Sequence, residues 1–263
     1  TNVPDQSGLG VRVNQIRRSF DAFLSSNLRD NNAEYTKLKK YVDNLNKLEN
    51  MLLPSDSDLG KFIGRFFNSL QDVSSRPDDI SSRSIVIENG KALANSFNNY
   101  DMQLKSFQST ASKETETNLS ELNETLKQLA QVNKLIMSGG SKNSSPDILD
   151  ARDQLLSKLS NSIDFSVDYG KSGEAKITSG NSGNGKILLE DTNFSILTHT
   201  IQENKIVFNV NRDAKTSALN SFSSGILSGI KNFYDFSSDV QSEINDLARR
   251  VARDFNEIQK IGI

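Results

Sequence analysis

The sequence predicts a mainly helical α+β fold: an elongated bundle of long antiparallel helices with a small inserted antiparallel β domain. Apolar residues recur at steps of three and four along most of the 263 residues, but the step changes to two between residues 164 and 212. Hydrophobic residues make up only 35% of the chain and the mean hydropathy is −0.51, values that favour a thin rod over a ball. We therefore expect a discontinuous rod domain, residues 1–162 and 213–263, and a β domain at 163–212.

Two helices are predicted in the first 75 residues. The first carries a narrow stripe of the coiled-coil type and ends at Pro54. The second is predicted at residues 59–75, where Phe62, Phe66 and Leu70 recur at every fourth position and Phe67 widens the apolar face. The stripe of the first helix consists of Val13, Ile16, Phe20, Leu24, Leu28, Tyr35, Leu38, Val42, Leu45 and Leu52.

The third predicted helix covers residues 77–137 and has a length of about 90 Å at 1.5 Å per residue. We expect Ser75 to cap it and Pro77 to lie in its first turn. The step from Ala111 through Thr115 to Leu119 breaks the heptad pattern, which locally unwinds a supercoil. A helix of this length is typical of a rod or a fibre. Its apolar stripe consists of Leu93, Phe97, Tyr100, Leu104, Phe107, Ala111, Leu119, Leu122, Leu126, Leu129 and Ile136.

The segment SPDILDARDQLLSKLS, residues 145–160, allows two interpretations of Asp147, Asp150 and Asp153. They could be carboxylate ligands of a metal ion, but a calcium-type site needs further oxygen ligands and a loop with a glycine turn. We favour the beginning of a helix, in which Ser145 is the cap, Pro146 takes the first position and the aspartates interact with the helix dipole. One face of this helix carries Ile148, Leu155, Leu159 and Ile163.

Residues 164–212 consist of short alternating segments separated by glycine, serine and asparagine, a pattern that predicts antiparallel strands. Helical spacing returns at residues 218–261. The stripe of this last helix consists of Ile226, Ile230, Phe233, Val240, Ile244, Leu247, Val251, Phe255 and Ile258. We expect it to fold back along the third helix.

Three features could be mistaken for functional sites. The segment GNSGNGK, residues 180–186, matches the start of a phosphate-binding loop, but Ile187 stands where a hydroxyl is needed and a strand pattern follows where a helix is required. We interpret it as a hairpin loop. His199 lies in an alternating run and is interpreted as a sheet-surface residue. The arginines of residues 249–253 have acidic residues four positions away, which indicates a helix face with ion pairs rather than a polyanion site.

The composition of the chain argues against several classes of function. The net charge is −2, which argues against binding nucleic acid or an anionic membrane. The chain has no cysteine and a single histidine, so disulfides and thiolate chemistry are excluded. It has no apolar run of about 18 residues and therefore no predicted membrane insertion, and its first residues lack the features of a cleaved signal peptide. We predict no catalytic residues, no cofactor, no metal and no enzymatic activity.

Four segments resemble, in the same order, the family of flagellar hook-associated protein 1. They are GLGVRVNQIRRSFDAFLSSNLR, FFNSLQDVSSRPDDISSRSIVIENGKALANSFN, SPDILDARDQLLSKLSNSIDFSV and SGILSGIKNFYDFSSDVQSEINDLARRVARDFNEIQKIG. The third is similar to the family signature Pro-Asn-x-Leu-x-Asp-x-Arg-Asp-x-Leu, with Asp147 in place of the asparagine. The fourth has Phe255, Asn256 and Gly262 in place. The matching signature residues are Pro146, Leu149, Asp150, Arg152, Asp153 and Leu155.

This resemblance implies a structural axial component of the bacterial flagellum that joins the hook to the filament. It implies an extracellular location, reached through the flagellar type III export system without a cleaved signal peptide. The implied partners are the hook protein, the second hook-associated junction protein, neighbouring copies in a ring and an export chaperone for the full-length chain. It also implies helical segments at both chain ends that form an inner tube, which this chain is expected to lack.

Two other classes of protein remain open at this point. One is an adhesin or enzyme domain on a helical stalk, which needs converging polar groups within residues 164–220, and none is evident in the sequence. The other is a different axial protein, either flagellin-like or the second junction protein. Such a protein shares the rod but not the DARD sequence of residues 150–153.

Overall fold

The computed structural model describes residues 21–52, 58–139, 145–219 and 222–260. Within these ranges the chain forms helices α1 (Ala22–Leu52), α2 (Leu59–Ser75), α3 (Ile80–Gly139), α4 (Pro146–Ser162) and α5 (Ile226–Lys260). The strands are β1 (Phe165–Tyr169), β2 (Ala175–Ser179), β3 (Ile187–Glu190), β4 (Asn193–Phe194), β5 (Ile196–Gln202), β6 (Lys205–Arg212) and β7 (Lys215–Leu219). All of these strands lie between α4 and α5, and we call them together the β module. The predicted positions Val13, Ile16, Phe20, Pro54 and Gly262 lie outside the described residues.

Helix α3 is the centre of the bundle. It contains 60 residues, which gives a length of about 90 Å. Helices α2, α4 and α5 pack directly against it, whereas α1 packs mainly against α4 and α5. The predicted return of the last helix along the third is therefore confirmed. At the predicted heptad break, Thr115 is fully buried and its hydroxyl donates to the Ala111 carbonyl at 2.9 Å, so the break leaves no unpaired hydroxyl in the core. Burial confirms the main positions of the α3 stripe: Leu93, Leu104, Ala111, Leu119, Leu122, Leu126, Leu129 and Ile136 are each at most 4% exposed.

The stripe predicted for α1 is not the face that this helix buries. Its buried residues are Ala33, Asn44 and Leu48. On the side that α1 buries, α5 approaches closely, because a Cβ atom added at Gly229 would lie 2.6 Å from the carbonyl oxygen of Lys37. A glycine at that position therefore lets α5 lie against the backbone of α1 at Lys37. Five positions of the predicted stripe, Leu24, Leu28, Tyr35, Leu38 and Val42, remain between 48% and 67% exposed.

The bounds predicted for α2 are confirmed, but three details around it are wrong. Pro77 does not lie in the first turn of α3, because that helix begins at Ile80. Phe67 does not widen the apolar face, since it is 47% exposed. Ser75 is the last residue of α2 and does not cap α3. Asp79 takes that place, because its carboxylate accepts the Ser81 N–H at 3.0 Å and the Ser82 hydroxyl at 2.7 Å. These hydrogen bonds to the ionised form lower the pKa of Asp79, as an aspartate N-cap requires.

The β module consists of two antiparallel sheets. Strands β1, β2, β3 and β4 form one sheet in that order, and β5, β6 and β7 form the other. In the first sheet Tyr169 lies opposite Ala175, and in the second Leu197 lies opposite Val210. Ser195 joins the two sheets: its N–H donates to the Leu188 carbonyl and its hydroxyl to the Ile187 carbonyl, both at 2.8 Å.

The β region extends further along the chain than predicted. Strand β7 lies beyond residue 212, and α5 begins at Ile226 rather than at 218. The alternation was hidden because the residues of β7 are mostly small or polar, and β7 is an edge strand with largely exposed side chains. Lysine and threonine on such an edge oppose pairing with another chain.

One hydrophobic core connects the bundle and the β module. Its members come from α3 between Leu104 and Ala130, from α4, from the first half of α5, from both sheets and, with Leu48, from α1. Among its fully buried side chains are Leu122, Leu126, Leu156, Leu159, Ile177, Leu188, Leu189 and Phe208. Within the described ranges, no helix is sufficiently long and apolar to cross a membrane.

Candidate functional site

The helix of the DARD segment begins as the sequence predicts, with one exception. Pro146 occupies the first turn of α4 and Asp147 supplies negative charge there, where the helix dipole is positive. Ser145 is the N-cap residue, as predicted, but its hydroxyl makes no cap hydrogen bond. The helix end is satisfied through the Ser145 carbonyl, which accepts the Ile148 N–H at 3.0 Å.

Arg152 is buried at the joint between α4 and the β module, with its side chain 4% exposed. Its Nε and Nη2 atoms lie 2.9 Å and 2.8 Å from Oδ1 of Asp153. Its Nη1 donates to the carbonyl of Gly173, in the turn between β1 and β2. The guanidinium also lies 4.4 Å from the ring centroid of Tyr169 on β1. This side chain therefore ties α4 to the β1–β2 hairpin through charge-assisted hydrogen bonds and a cation–π contact.

The turn that receives Arg152 depends on glycine. Gly173 has φ of +94°, a conformation that residues with a side chain rarely adopt. The space beside its Cα is lined by Arg152 and by a methyl group of Leu149, so two signature residues contact this turn. A third, Leu155, packs partly buried against the core, and Asp150 is exposed. Of the signature residues, Leu149, Arg152 and Asp153 thus lie at the joint between helix and hairpin.

Two asparagines of α3 hold the β module by their backbone contacts. Asn133 is fully buried. Its Nδ2 donates to the carbonyls of Ala175 and Asp191, and its Oδ1 accepts the Ala175 N–H, each at 2.8 Å. Asn123 contacts the second sheet in the same manner, donating to the Leu197 carbonyl at 2.9 Å and accepting the Leu197 N–H at 2.8 Å. Helix α3 therefore hydrogen-bonds to one strand of each sheet through side-chain amides.

Sequence reasoning missed both asparagines, although one signal was present. Asn133 lies four residues after Leu129 and three before Ile136, so it occupies a position of the apolar stripe. A polar residue on a buried face requires a hydrogen-bond partner. The pattern could therefore have indicated a specific polar contact, but not its partners, because Ala175 and Asp191 are 42 and 58 residues away in sequence.

Asp164 joins the entry and the exit of the β module. This residue follows α4 and is 2% exposed. Its carboxylate accepts the N–H groups of Ser223 and Ser224 at 2.9 Å and 3.1 Å, and the Ser223 hydroxyl at 2.8 Å. Since Ser223 and Ser224 immediately precede α5, the two chain crossings are held side by side. Burial and the nearby charge of Asp164 raise the pKa of Asp30 on α1, while Arg29 opposes the rise.

The turn between β5 and β6 is attached to α5. Lys205 lies 2.6 Å from Oδ1 of Asp239 and donates to the Asp235 carbonyl at 3.1 Å. The Asp235 carboxylate accepts the Ile206 N–H at 3.3 Å and pairs with Lys231 one turn earlier on the helix. The β module thus contacts α3, α4 and α5 through separate polar groups.

The features that resembled active sites are integrated into this architecture. Lys186 follows a loop and precedes β3, and its N–H donates to the hydroxyl of Ser179 at 2.9 Å, so the hairpin interpretation is confirmed.

His199 faces α3 rather than open solvent, with Nε2 3.2 Å from the Ser112 hydroxyl, and burial lowers its pKa. In the arginine segment Arg249 pairs with Asp246 and Arg253 with Asp254. Within the described part of the chain, no cluster of three histidine or carboxylate side chains could hold a metal ion.

Comparisons with known proteins agree with one another. The family described as "Flagellar hook-associated protein FlgK helical domain" matches residues 45–263. Flagellar hook-associated protein 1 of Bacillus subtilis (strain 168) is 29% identical over an aligned length of 287 residues. The alignment covers 98% of this chain and 56% of that protein. The protein of the same name from Salmonella typhimurium (strain LT2) is 30% identical over 177 residues, or 66% of this chain and 32% of that protein. The chain thus spans about half, or less, of the length of these relatives.

A solved structure has the same fold. It is described as the structure of the flagellar hook junction protein FlgK from Burkholderia pseudomallei, and it superposes with a TM-score of 0.70 at 22% sequence identity. The match covers 79% of this chain and 38% of that one.

Proposed function

The chain belongs to the family of the flagellar hook-associated protein FlgK helical domain, and on this premise we propose that it is a structural part of a flagellar junction that joins hook to filament. The family match carries the proposal, because it extends over residues 45–263 and so includes both the helices and the β module. A junction of this kind acts mechanically, by transmitting force between two fibres, and needs no covalent chemistry. We accordingly propose that the protein is not an enzyme.

The way in which the β module is attached supports a mechanical role. Arg152 connects α4 and Asn133 connects α3 to the module by buried hydrogen bonds, and Asp164 joins the segments that enter and leave the module. Such bonds are directional and lose their strength when the groups separate. Together with the shared core, they make the module and the bundle respond to load as one body. We propose that the DARD residues are architectural and that the helices and the β module are two domains with this joint between them.

The proposed partners follow from the family. They are the hook protein below, the second hook-associated junction protein above, neighbouring copies in a ring, and an export chaperone for the full-length chain. The proposed location is outside the cell, at the flagellum, after export through the flagellar type III system. The mixed surface charge supports lateral contacts that are individually weak and become effective when many copies are held together.

Localisation of the full-length gene product tests the proposal. An epitope inserted into the β2–β3 loop, labelled with gold particles on intact cells, is expected to mark the boundary between hook and filament. Deletion of the gene is expected to leave hooks without attached filaments, and the full-length gene is expected to restore them. Labelling along the whole filament would instead indicate a flagellin-like protein, and labelling restricted to the cell interior would contradict any axial role.

A further inference from the structure

The loop GNSGNGK between β2 and β3 has no part in the proposed function, but its chemistry is distinctive. Gly180 and Gly183 have φ of +75° and +72°, so the tip of the loop turns through glycine. Two hydrogen bonds close its base: the Ser179 N–H donates to the Lys186 carbonyl, and the Lys186 N–H donates to the Ser179 hydroxyl, both at 2.9 Å. Between them lies the dipeptide Asn184–Gly185, with both residues exposed.

We propose that Asn184 is a site of spontaneous deamidation. The backbone nitrogen of Gly185, after losing its proton to hydroxide, attacks Cγ of Asn184 and forms a five-membered cyclic imide. The C–N bond of the side-chain amide breaks, and ammonia leaves with a proton from solvent. Water then opens the imide at one of its two carbonyls, which yields aspartate or isoaspartate. The only reactants besides the chain are hydroxide and water, and glycine after the asparagine offers no side chain to obstruct the attack.

The chain contains an internal control for this reaction. The only other Asn–Gly dipeptide in the sequence is Asn89–Gly90, and it lies inside α3. There the backbone is held by the hydrogen bonds of the helix, so the Gly90 nitrogen cannot rotate towards the Asn89 side chain unless the helix opens locally. The Asn89 amide also lies within 3.5 Å of the Arg65 carbonyl, to which it donates. The same two residues are therefore exposed in a loop at one site and locked at the other.

Deamidation changes the surroundings of the loop. Asn184 lines a polar cavity of about 530 Å³ together with Asp164, Ser179, Lys186 and Ser223. The product places a new carboxylate in this cavity, near the buried Asp164 and the ammonium-bearing Lys186. Isoaspartate additionally inserts a methylene group into the backbone of the loop that the two Ser179–Lys186 hydrogen bonds close. The reaction thus adds negative charge near Asp164, at the entry to the β module, in a fraction of the molecules that increases with time.

The experiment compares the two asparagines by peptide mapping and mass spectrometry. The folded protein is incubated at mildly alkaline and mildly acidic pH, and samples are digested and analysed over time. Conversion at Asn184 is expected to exceed that at Asn89 by about a hundredfold or more, which corresponds to about 2.7 kcal/mol of protection by the helix. The rate at Asn184 is expected to rise with pH. In denaturant the two rates are expected to become similar, because both dipeptides then have the same freedom.

Two matched variants make the result decisive. Asn184→Gln is expected to abolish the acidic species that accumulates in the folded protein, because the longer side chain would have to form a six-membered ring. Asn89→Gln is expected to leave that species unchanged. Gly185→Ala is unsuitable, since its Cβ atom would lie 1.8 Å from the Ser179 carbonyl oxygen. Equal native rates at the two sites would overturn the proposal, as would a native rate at Asn184 about tenfold or more below its rate in denaturant.

Discussion

Helices α1 and α3 carry apolar stripes of the same kind, yet the protein buries most of one and leaves most of the other exposed. Along α3 the stripe residues Leu104, Leu126 and Leu129 are completely buried. Along α1 the corresponding residues Leu28 and Leu38 are 67% and 50% exposed. The periodicity of apolar residues therefore shows that a helix has an apolar face, but not that the folded chain covers it.

Contacts made elsewhere decide between the two helices. The stripe of α3 is covered because α5 and the β module lie on it, held by Asn123 and Asn133. On α1 the contacts with α4 and α5 fall on another side, where Asn32 donates to Ser160 and Asn161, and Ala33 accepts the Gly225 N–H. Leu48 and, partly buried, Leu45 of α1 still reach the core, but most of the apolar stripe of this helix is left facing outward.

The largest expected effect comes from the same substitution in both stripes. Leu126→Ala removes a fully buried side chain and is expected to lower the free energy of unfolding by about 3–4 kcal/mol. Leu38→Ala is expected to change it by less than about 0.5 kcal/mol, because this side chain is half exposed. Denaturant unfolding followed by circular dichroism measures both. Similar losses for the two variants would mean that the α1 stripe is covered in solution.

Arg152 tests whether the polar joint matters as much as the core that it adjoins. Arg152→Ala removes the hydrogen bond to Gly173 and the pairing with Asp153, and is expected to cost about 2–3 kcal/mol. Arg152→Lys is expected to recover only part of this loss, since an ammonium cannot reproduce the planar fork. The control is Arg253→Ala, which breaks an ion pair whose side chains are 63% and 60% exposed and should cost under about 0.5 kcal/mol. A loss for Arg152→Ala as small as that of the control would contradict the proposed joint.

Asn133 tests the amide contacts that keep the β module on α3. Asn133→Ala leaves the Ala175 N–H and the carbonyls of Ala175 and Asp191 without this partner. We expect a loss of about 2 kcal/mol in the free energy of unfolding. Hydrogen exchange should show faster exchange of the Ala175 amide, while amides in the middle of α2, distant from the module, keep their relative protection. Uniform acceleration in all elements would indicate general destabilisation rather than a local contact.

The smallest expected effect is a pH dependence at the contact between β5 and α3. Burial lowers the pKa of His199 below its ordinary value of 6.5, and Glu116 only partly opposes this. Near and below pH 6.5, His199 therefore binds a proton more readily in the unfolded chain than in the folded one. The contribution of His199 to the free energy of unfolding falls as the pH decreases through this window and is constant above it. Allowing for solvent access, we expect a change under about 1 kcal/mol. Unfolding of His199→Gln across the same range should lack this component, and the NMR titration of the single histidine should give a pKa below 6.5.

The joint between bundle and module was only partly predictable. Pro146 and Asp147 were placed correctly because the beginning of a helix depends on local residues. The partners of Arg152 in the hairpin, Gly173 and Tyr169, were not predicted, since the folding of the hairpin brings them to it. Strand β7 and the cap at Asp79 were missed because weak local preferences at these positions are overridden by pairing with β6 and by the turn after α2.

The sequence by itself determined the order of the elements, the bounds of α2, the great length of α3 and the presence of a β insertion before the last helix. These features follow from local physics: periodicity, capping and helix-breaking residues act over a few positions along the chain. Only the tertiary structure decided which stripe is buried, which asparagines grip the strands and where Arg152 finds its partners. Those choices depend on groups that are tens of residues apart in sequence. Their cost or benefit arises only when water is removed from both partners at once.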